Sequence, residues 1–178
     1  MNITPTQFSN LYEIKNDRFE DQRGLFVKTF HNELFEKNGL QTDFKESYFS
    51  VSKKGVIRGM HLQLPPYDHT KLVYVVAGEI LDVVVDLRKD SSTYGQYFST
   101  ILSSKQANSL YIGRGFAHGF LTLSESATVV YQTTTTYNAD SDVGIRWNSF
   151  GFHWKQIQSP ILSERDQKFP SLTEFGNV

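Results

Sequence analysis

The chain has no cysteine among its 178 residues. That excludes a disulfide framework, thiolate nucleophiles and cysteine-ligated metal sites, and it removes any dependence on an oxidising compartment. An excess of one charge is missing too. The 18 Lys and Arg against 19 Asp and Glu leave a net charge of -1, so there is no broad cationic footprint for nucleic acid. An anionic ligand has to be met by a few local cations. No apolar run approaches the roughly 20 residues of a membrane span, and Met1-Asn2-Ile3-Thr4-Pro5 lacks the basic and apolar regions of a secretion signal. The expectation is a cytoplasmic protein with neither membrane nor nucleic acid as a partner.

What is present is enough apolar material for one core. Hydrophobic residues make up 39% and aromatics 14%, with no internal repeat or linker, so residues 1–178 are read as a single domain. Short β-like runs separated by turn residues dominate. Phe26 to Phe30 alternates after a turn at Asp21-Gln22-Arg23-Gly24. Lys71 to Val76 and Ile80 to Arg88 flank Ala77-Gly78-Glu79 and read as a hairpin with one buried face, Val83, Val85 and Leu87 lying opposite Asp82, Val84 and Asp86. Phe98–Leu102, Ser109–Ile112, Gly119–Leu123 and Thr128–Thr135 continue the series. Glu33 to Lys37, closed by Asn38-Gly39, is the best short helix. After Asn138 the strand signal fades, leaving Trp147 and Trp154 as packing residues and a terminal segment that serves as lid or brace. Seven or more strands in succession predict an all-β, antiparallel double-sheet roll.

The chemistry concentrates in Gly55-Val56-Ile57-Arg58-Gly59-Met60-His61-Leu62-Gln63, Lys71-Leu72-Val73 and Gly113-Arg114-Gly115-Phe116-Ala117-His118. Imidazole titrates near neutrality, where a general base works best, and Arg58 and Lys71 offer charge for an anion or carbonyl. A strand histidine can equally be a satisfied structural residue, and Lys71 an ordinary strand-edge charge. Arg58 and His61 are three apart, which puts them on opposite faces of a regular strand unless a bulge intervenes or Arg58 acts from the edge.

Six ordered blocks, Val56 to Gln63, Lys71-Leu72-Val73, Asp82 to Arg88, Gly115 to Phe120, Gly144-Ile145-Arg146-Trp147-Asn148 and Leu162-Ser163-Glu164-Arg165-Asp166, resemble the dTDP-4-dehydrorhamnose 3,5-epimerase family from about Phe19 to Pro170. The resemblance implies a cupin-type double-sheet jelly-roll barrel with short N-terminal and C-terminal helical or loop segments. It implies a homodimer and an enzyme without cofactor, acting on a nucleoside diphosphate 4-keto-6-deoxy sugar in deoxysugar supply for O-antigen or other polysaccharide. Metal-binding cupins carry His-x-His and an acidic ligand. Here the position reads His61-Leu62-Gln63, so no metal site is expected. By the same resemblance His61 is the base, Asp166 pairs its other ring nitrogen, Lys71 meets the enolate oxygen and Tyr131 is the acid. Arg58, His118, Tyr137, Asp142 and Arg165 are substrate-binding, Asp142 standing for a frequent glutamate and Arg165 for a frequent lysine, and Arg23 meets the nucleotide, from a partner subunit if N-terminal contacts are shared.

The nucleotide side departs from the family pattern. Lys28 stands where glutamate is usual, Glu46 and Tyr48 where glutamine and asparagine are common, and His69, Tyr74 and Gly113 in place of glutamine, arginine and proline. Lysine only donates where a carboxylate only accepts, so base recognition changes. Three readings follow: a 3,5-epimerase, a mono-epimerase or 3,4-ketoisomerase on a non-dTDP sugar, and a non-catalytic sugar-nucleotide-binding cupin.

Overall fold

A computed structural model describes residues 1–155 and 157–176. In chain order the elements are β1 (Asn2–Pro5), β2 (Leu11–Lys15), β3 (Arg18–Asp21), β4 (Gly24–Val27), α1 (Asn32–Lys37), β5 (Glu46–Lys53), β6 (Ile57–Gln63) and β7 (Lys71–Ala77). There follow β8 (Glu79–Asp86), β9 (Tyr97–Ser103), β10 (Asn108–Ile112), β11 (Phe116–Thr122), β12 (Ser126–Thr133), β13 (Asp142–Gly144), α2 (Glu164–Gln167) and α3 (Leu172–Gly176). One sheet runs β1-β2-β10-β7-β12-β5, the other β13-β6-β11-β8-β9, and β3 and β4 form a separate ribbon. The all-β double-sheet roll predicted from alternation is therefore what forms, as two facing sheets with free edges rather than a closed cylinder.

The core lies between the sheets. Val73, Val75, Leu110, Val129 and Tyr131 of the larger sheet pack against Ile80, Val84, Phe116 and Phe120 of the smaller, and each large side chain buried this way contributes roughly 1.5–3 kcal/mol. The smaller sheet is buried on its outer face as well, where Leu81, Val83, Val85 and Leu121 meet Ile145, Phe150 and Trp154. The segment from Ile145 onward is thus a brace over that sheet, and Trp154 is a packing residue, 6% exposed. The helix α1 covers part of the larger sheet, setting Phe35 against Leu72 and Tyr111. His31 caps it by accepting from Leu34 N–H, and Gly39, at φ 71°, turns the chain away.

Three local expectations need correction. The strands β7 and β8 are not a hairpin, for they belong to different sheets. The chain crosses between them at Gly78, where φ is 82° and a Cβ would lie 2.2 Å from the Ser126 carbonyl oxygen, so only glycine fits the bend. Nor has β8 a single buried face. Asp82 and Asp86 imitate a solvent side in the sequence, yet both are fully buried, one paired with His118 and the other with Arg88. The strand expected over Phe26–Phe30 is instead β4, ending at Val27 in the exposed ribbon. The three-residue β13 was too short to read as a strand.

Candidate active site

A cavity of about 420 Å³ opens between the sheets, within the usual range for a small-molecule site. The smaller sheet supplies Arg58, His61, His118 and Asp142, and the larger sheet supplies Glu46, Tyr48, Ser50, Lys71 and Tyr131; His69, Tyr137 and Arg165 complete the wall.

A bulge explains how Arg58 and His61 share this wall. Along β11 and β6, His118 pairs with His61 but Phe120 pairs with Arg58, so one residue of β11 faces two of β6. The extra residue includes Gly59 at φ 126°, where a Cβ would come within 2.6 Å of Gly119 Cα and 2.8 Å of the His118 carbonyl oxygen. The bulge exists because this position has no side chain.

His61 Nε2 lies 2.8 Å from Asp166 Oδ1, while Asp166 Oδ2 accepts from Gly59 N–H at 3.1 Å. The aspartate is delivered by α2, whose N-cap Ser163 accepts from Asp166 N–H. Burial pushes the Asp166 carboxyl up, but its bonds to His61, Gly59 and Ser163 outweigh this and hold it below the usual carboxylate range. An anionic Asp166 fixes the proton of His61 on Nε2 and leaves the lone pair on Nδ1. A second pair stands beside the first: His118 Nε2 lies 2.8 Å from Asp82 Oδ2, both residues buried. Burial raises the Asp82 carboxyl against the opposing pull of His118 and Lys71. Asp82 was missed in the sequence, where its signal was an acidic residue inside an otherwise apolar strand.

Lys71 is no edge charge. It is 8% exposed, and its ammonium donates to the His61 carbonyl at 3.3 Å. Burial lowers it to about 8, the carboxylates of Asp142 and Asp82 opposing the fall. Tyr131 lines the same cavity from the neighbouring strand β12, 8% exposed, hydrogen-bonded through its hydroxyl to Ser50 Oγ at 3.1 Å and stacked on Tyr48 with centroids 5.0 Å apart. Burial raises both phenols, Tyr48 to about 12 with help from Glu46 and Asp142.

At the rim, Arg165 pairs with Asp142 at 2.7 Å, Glu46 accepts from Tyr137 N–H at 3.2 Å, and Arg58 donates to Ser52 Oγ at 2.9 Å. His69, marked in the sequence only as a departure from the family pattern, is lowered to about 3 by burial and by Lys71 and Arg114, and so stays neutral. Arg23 and Lys28 are not brought to this cavity. Both belong to the β3–β4 region, where the Arg23 side chain is 90% exposed and pairs with Asp21 at 2.5 Å. Among the described residues no three His, Cys, Asp or Glu side chains converge as metal ligands. Gln63, at the position of a cupin ligand, instead donates to the Tyr67 and Thr136 carbonyls and accepts from Asn138 N–H at 2.7 Å.

Fold and cavity together describe a cupin-type enzyme whose polar groups are arranged to move protons. The dTDP-4-dehydrorhamnose 3,5-epimerase family profile matches residues 5–174. The chain is 40% identical to the dTDP-4-dehydrorhamnose 3,5-epimerase of Shigella flexneri over 98% of its own length and 99% of the relative's. Among solved structures it is similar to the dTDP-6-deoxy-D-glucose-3,5-epimerase of Legionella pneumophila in complex with dTDP-4-keto-L-rhamnose, at 36% identity and a TM-score of 0.92 over 97% and 93% of the two chains. It is also similar to a 4-keto-6-deoxy sugar epimerase from the novobiocin gene cluster of Streptomyces spheroides, at 32% identity and a TM-score of 0.94 over 99% and 90%. The chain belongs to the dTDP-4-dehydrorhamnose 3,5-epimerase family, a family of isomerases acting on nucleotide sugars.

Proposed function

We propose that this enzyme inverts C3 and C5 of a nucleoside diphosphate 4-keto-6-deoxy sugar, with no metal or other cofactor, and that residues 1–178 act as one domain. The observation that carries this reading is one cavity lined by the carboxylate-bound His61 of the smaller sheet and by Lys71 and Tyr131 of neighbouring strands in the larger sheet. Hydrogens on carbons beside a ketone are acidic because the resulting carbanion delocalises onto the carbonyl oxygen. His61 Nδ1 takes such a proton and its Nε2–H leans on Asp166, which steadies the imidazolium. The electron pair moves to the C4 oxygen, where the Lys71 ammonium meets the developing charge. Tyr131 then protonates the same carbon from the opposite face, the carbonyl reforms, and the centre is inverted.

Arg58, His118, Tyr137, Asp142 and Arg165 hold the sugar and diphosphate in this reading, and Glu46 and Tyr48 flank the nucleotide. The substrate class is supported by the relatives, one of which holds dTDP-4-keto-L-rhamnose. We further propose a cytoplasmic homodimer, supplying deoxysugars for surface polysaccharide, in which Arg23 and Lys28 reach the partner's nucleotide. Its support is the exposed apolar surface: Phe19 and Phe26 of the ribbon are 61% and 60% exposed, and Phe49 and Val51 of edge strand β5 are 67% and 56% exposed. Patches of this kind mark protein contacts.

The test is incubation with 4-keto-6-deoxy sugars carrying dTDP, CDP, UDP or GDP in D2O, with deuterium located by NMR. Label at C3 and C5 with inversion at both is the expected result. Label at one carbon makes the protein a mono-epimerase, and binding without label for every candidate makes it a non-catalytic cupin.

A further inference from the structure

Two inversions by one acid raise a supply problem. Tyr131 gives up its proton at the first carbon and has to regain one before it can serve the second, while the sugar still fills the cavity in front of it. The ring is 8% exposed and covered on one face by Tyr48. The route from water to its hydroxyl therefore has to run through the protein, and among the described residues the polar group hydrogen-bonded to that hydroxyl is Ser50 Oγ, at 3.1 Å.

Ser50 is well placed to be that route. Tyr131 pairs directly with Tyr48 across β12 and β5, and Ser50 pairs with Val129, so Ser50 sits on the diagonal of Tyr131 on the same sheet face. The strand β5 is the edge of its sheet and has its alternation reversed. Glu46, Tyr48 and Ser50 line the cavity while Phe49 and Val51 face outward. Ser50 is half-buried and touches the cavity from the strand that ends its sheet among the described residues. Its hydroxyl can donate and accept at once, which is what a relay needs.

We propose that Ser50 recharges Tyr131 between the two inversions. The proposal rests on Tyr131 being the acid. In the first step the Tyr131 O–H bond breaks, a C–H bond forms at the enolate carbon, and the enolate electrons restore the C4 carbonyl. In the second, the Ser50 O–H bond breaks to reprotonate the Tyr131 oxygen while water gives a proton to Ser50. The hydroxide left behind is neutralised by the proton that His61 removed from the sugar and returns to solvent, so the cycle is proton-neutral. Ser50 is a positioning residue, acting through Tyr131 without touching the reacting carbon.

The experiment is a short incubation of the full-length enzyme with the 4-keto sugar nucleotide in D2O, quenched well before equilibrium, with singly and doubly inverted products counted by NMR. The unmutated enzyme should yield mostly doubly inverted sugar at early times. General acid catalysis is worth roughly 10²–10⁴-fold, and a relay commands part of it, so Ser50→Ala should lower the double-to-single ratio about tenfold. Ser50→Thr, which keeps the hydroxyl, should restore it. Ser50→Val against Ser50→Thr repeats the comparison with equal shape, so a packing defect moves both and a lost relay moves only valine. A ratio in Ser50→Ala and Ser50→Val equal to that of unmutated enzyme overturns the relay. The two readings separate through Tyr131→Phe. If that variant inverts normally, Tyr131 is not the acid; if it fails while Ser50→Ala keeps the normal ratio, only the relay falls.

Discussion

Lys71 links activity and stability through a single proton, with opposite signs. In the folded protein it titrates at about 8 against an ordinary 10.5, because burial disfavours the ammonium. The role assigned to it needs the charged form, so kcat/KM, which reports the free enzyme, should fall as pH rises through about 8 and be down about tenfold near pH 9. Stability moves the other way. Between about 8 and 10.5 the unfolded chain still holds a proton that the folded chain has released, so folding gains free energy with rising pH. A difference of about 2.5 in pKa corresponds to a penalty on the order of 3 kcal/mol, present in full below 8 and relieved by 10.5. Lys71→Met removes both effects. It should cost about 10²–10³-fold in kcat, as loss of an oxyanion donor does, while raising stability at neutral pH by about 1–3 kcal/mol. The assay is urea unfolding of both proteins at several pH values from neutral to alkaline, beside kcat/KM over the same range. The unmutated enzyme should gain stability relative to Lys71→Met as pH rises. An alkaline limb near 10, or a Lys71→Met protein that is less stable at neutral pH, would refute the reasoning.

Four further outcomes are expected. His61→Ala should fold and bind its ligand but lose about 10²–10⁴-fold of C3 and C5 exchange, read by deuterium wash-in; near-normal exchange eliminates it as the base. Gly59→Ala should lose activity and lower the melting temperature, because the new methyl meets Gly119 Cα and the His118 carbonyl at 2.6 and 2.8 Å and the bulge that aligns His61 cannot form; unchanged activity would show that the bulge is dispensable. Asp86, held at about 2 by Arg88, Thr93 and Ser91 in spite of burial, contributes about 2 kcal/mol that is present above pH 4 and lost as pH falls toward 2; acid unfolding of Asp86→Asn should lack that part of the slope. Lys28→Glu should shift the nucleotide order toward dTDP in isothermal titration, and an unchanged order with unchanged affinities removes Lys28 from nucleotide recognition.

The strands were legible because apolar alternation and Gly or Ser breaks are local properties, and so was the short helix before Asn38-Gly39. Sheet membership was not. A sharp bend at Gly78 reads the same whether the chain doubles back within a sheet or crosses to the other, and only the partners chosen by β12 and β11 decide it. Asp82 misled for a related reason, since alternating carboxylates signal a wet face until something distant, here His118, pairs with them. His61 and Asp166 are 105 residues apart and meet at 2.8 Å. No spacing rule joins them, and the resemblance alone paired them. Arg23 and Lys28 went the other way: the comparison with the family pattern marked them for the nucleotide, yet they lie at and just beyond the β3–β4 ribbon, away from their own chain's cavity.

The free edges and opposed faces of the two sheets have a consequence for how this protein can change. His61 and His118 are carried by strands of one sheet, Lys71, Tyr131 and Ser50 by strands of the other, and the sheets touch through apolar side chains that include Phe8, Val84 and Leu102, which do not line the cavity. The gap between proton donor and proton acceptor is therefore set by core volume. A methylene gained or lost at Phe8, Val84 or Leu102 alters that gap as surely as a substitution in the cavity, so turnover should drift with interior packing among relatives whose catalytic side chains are identical.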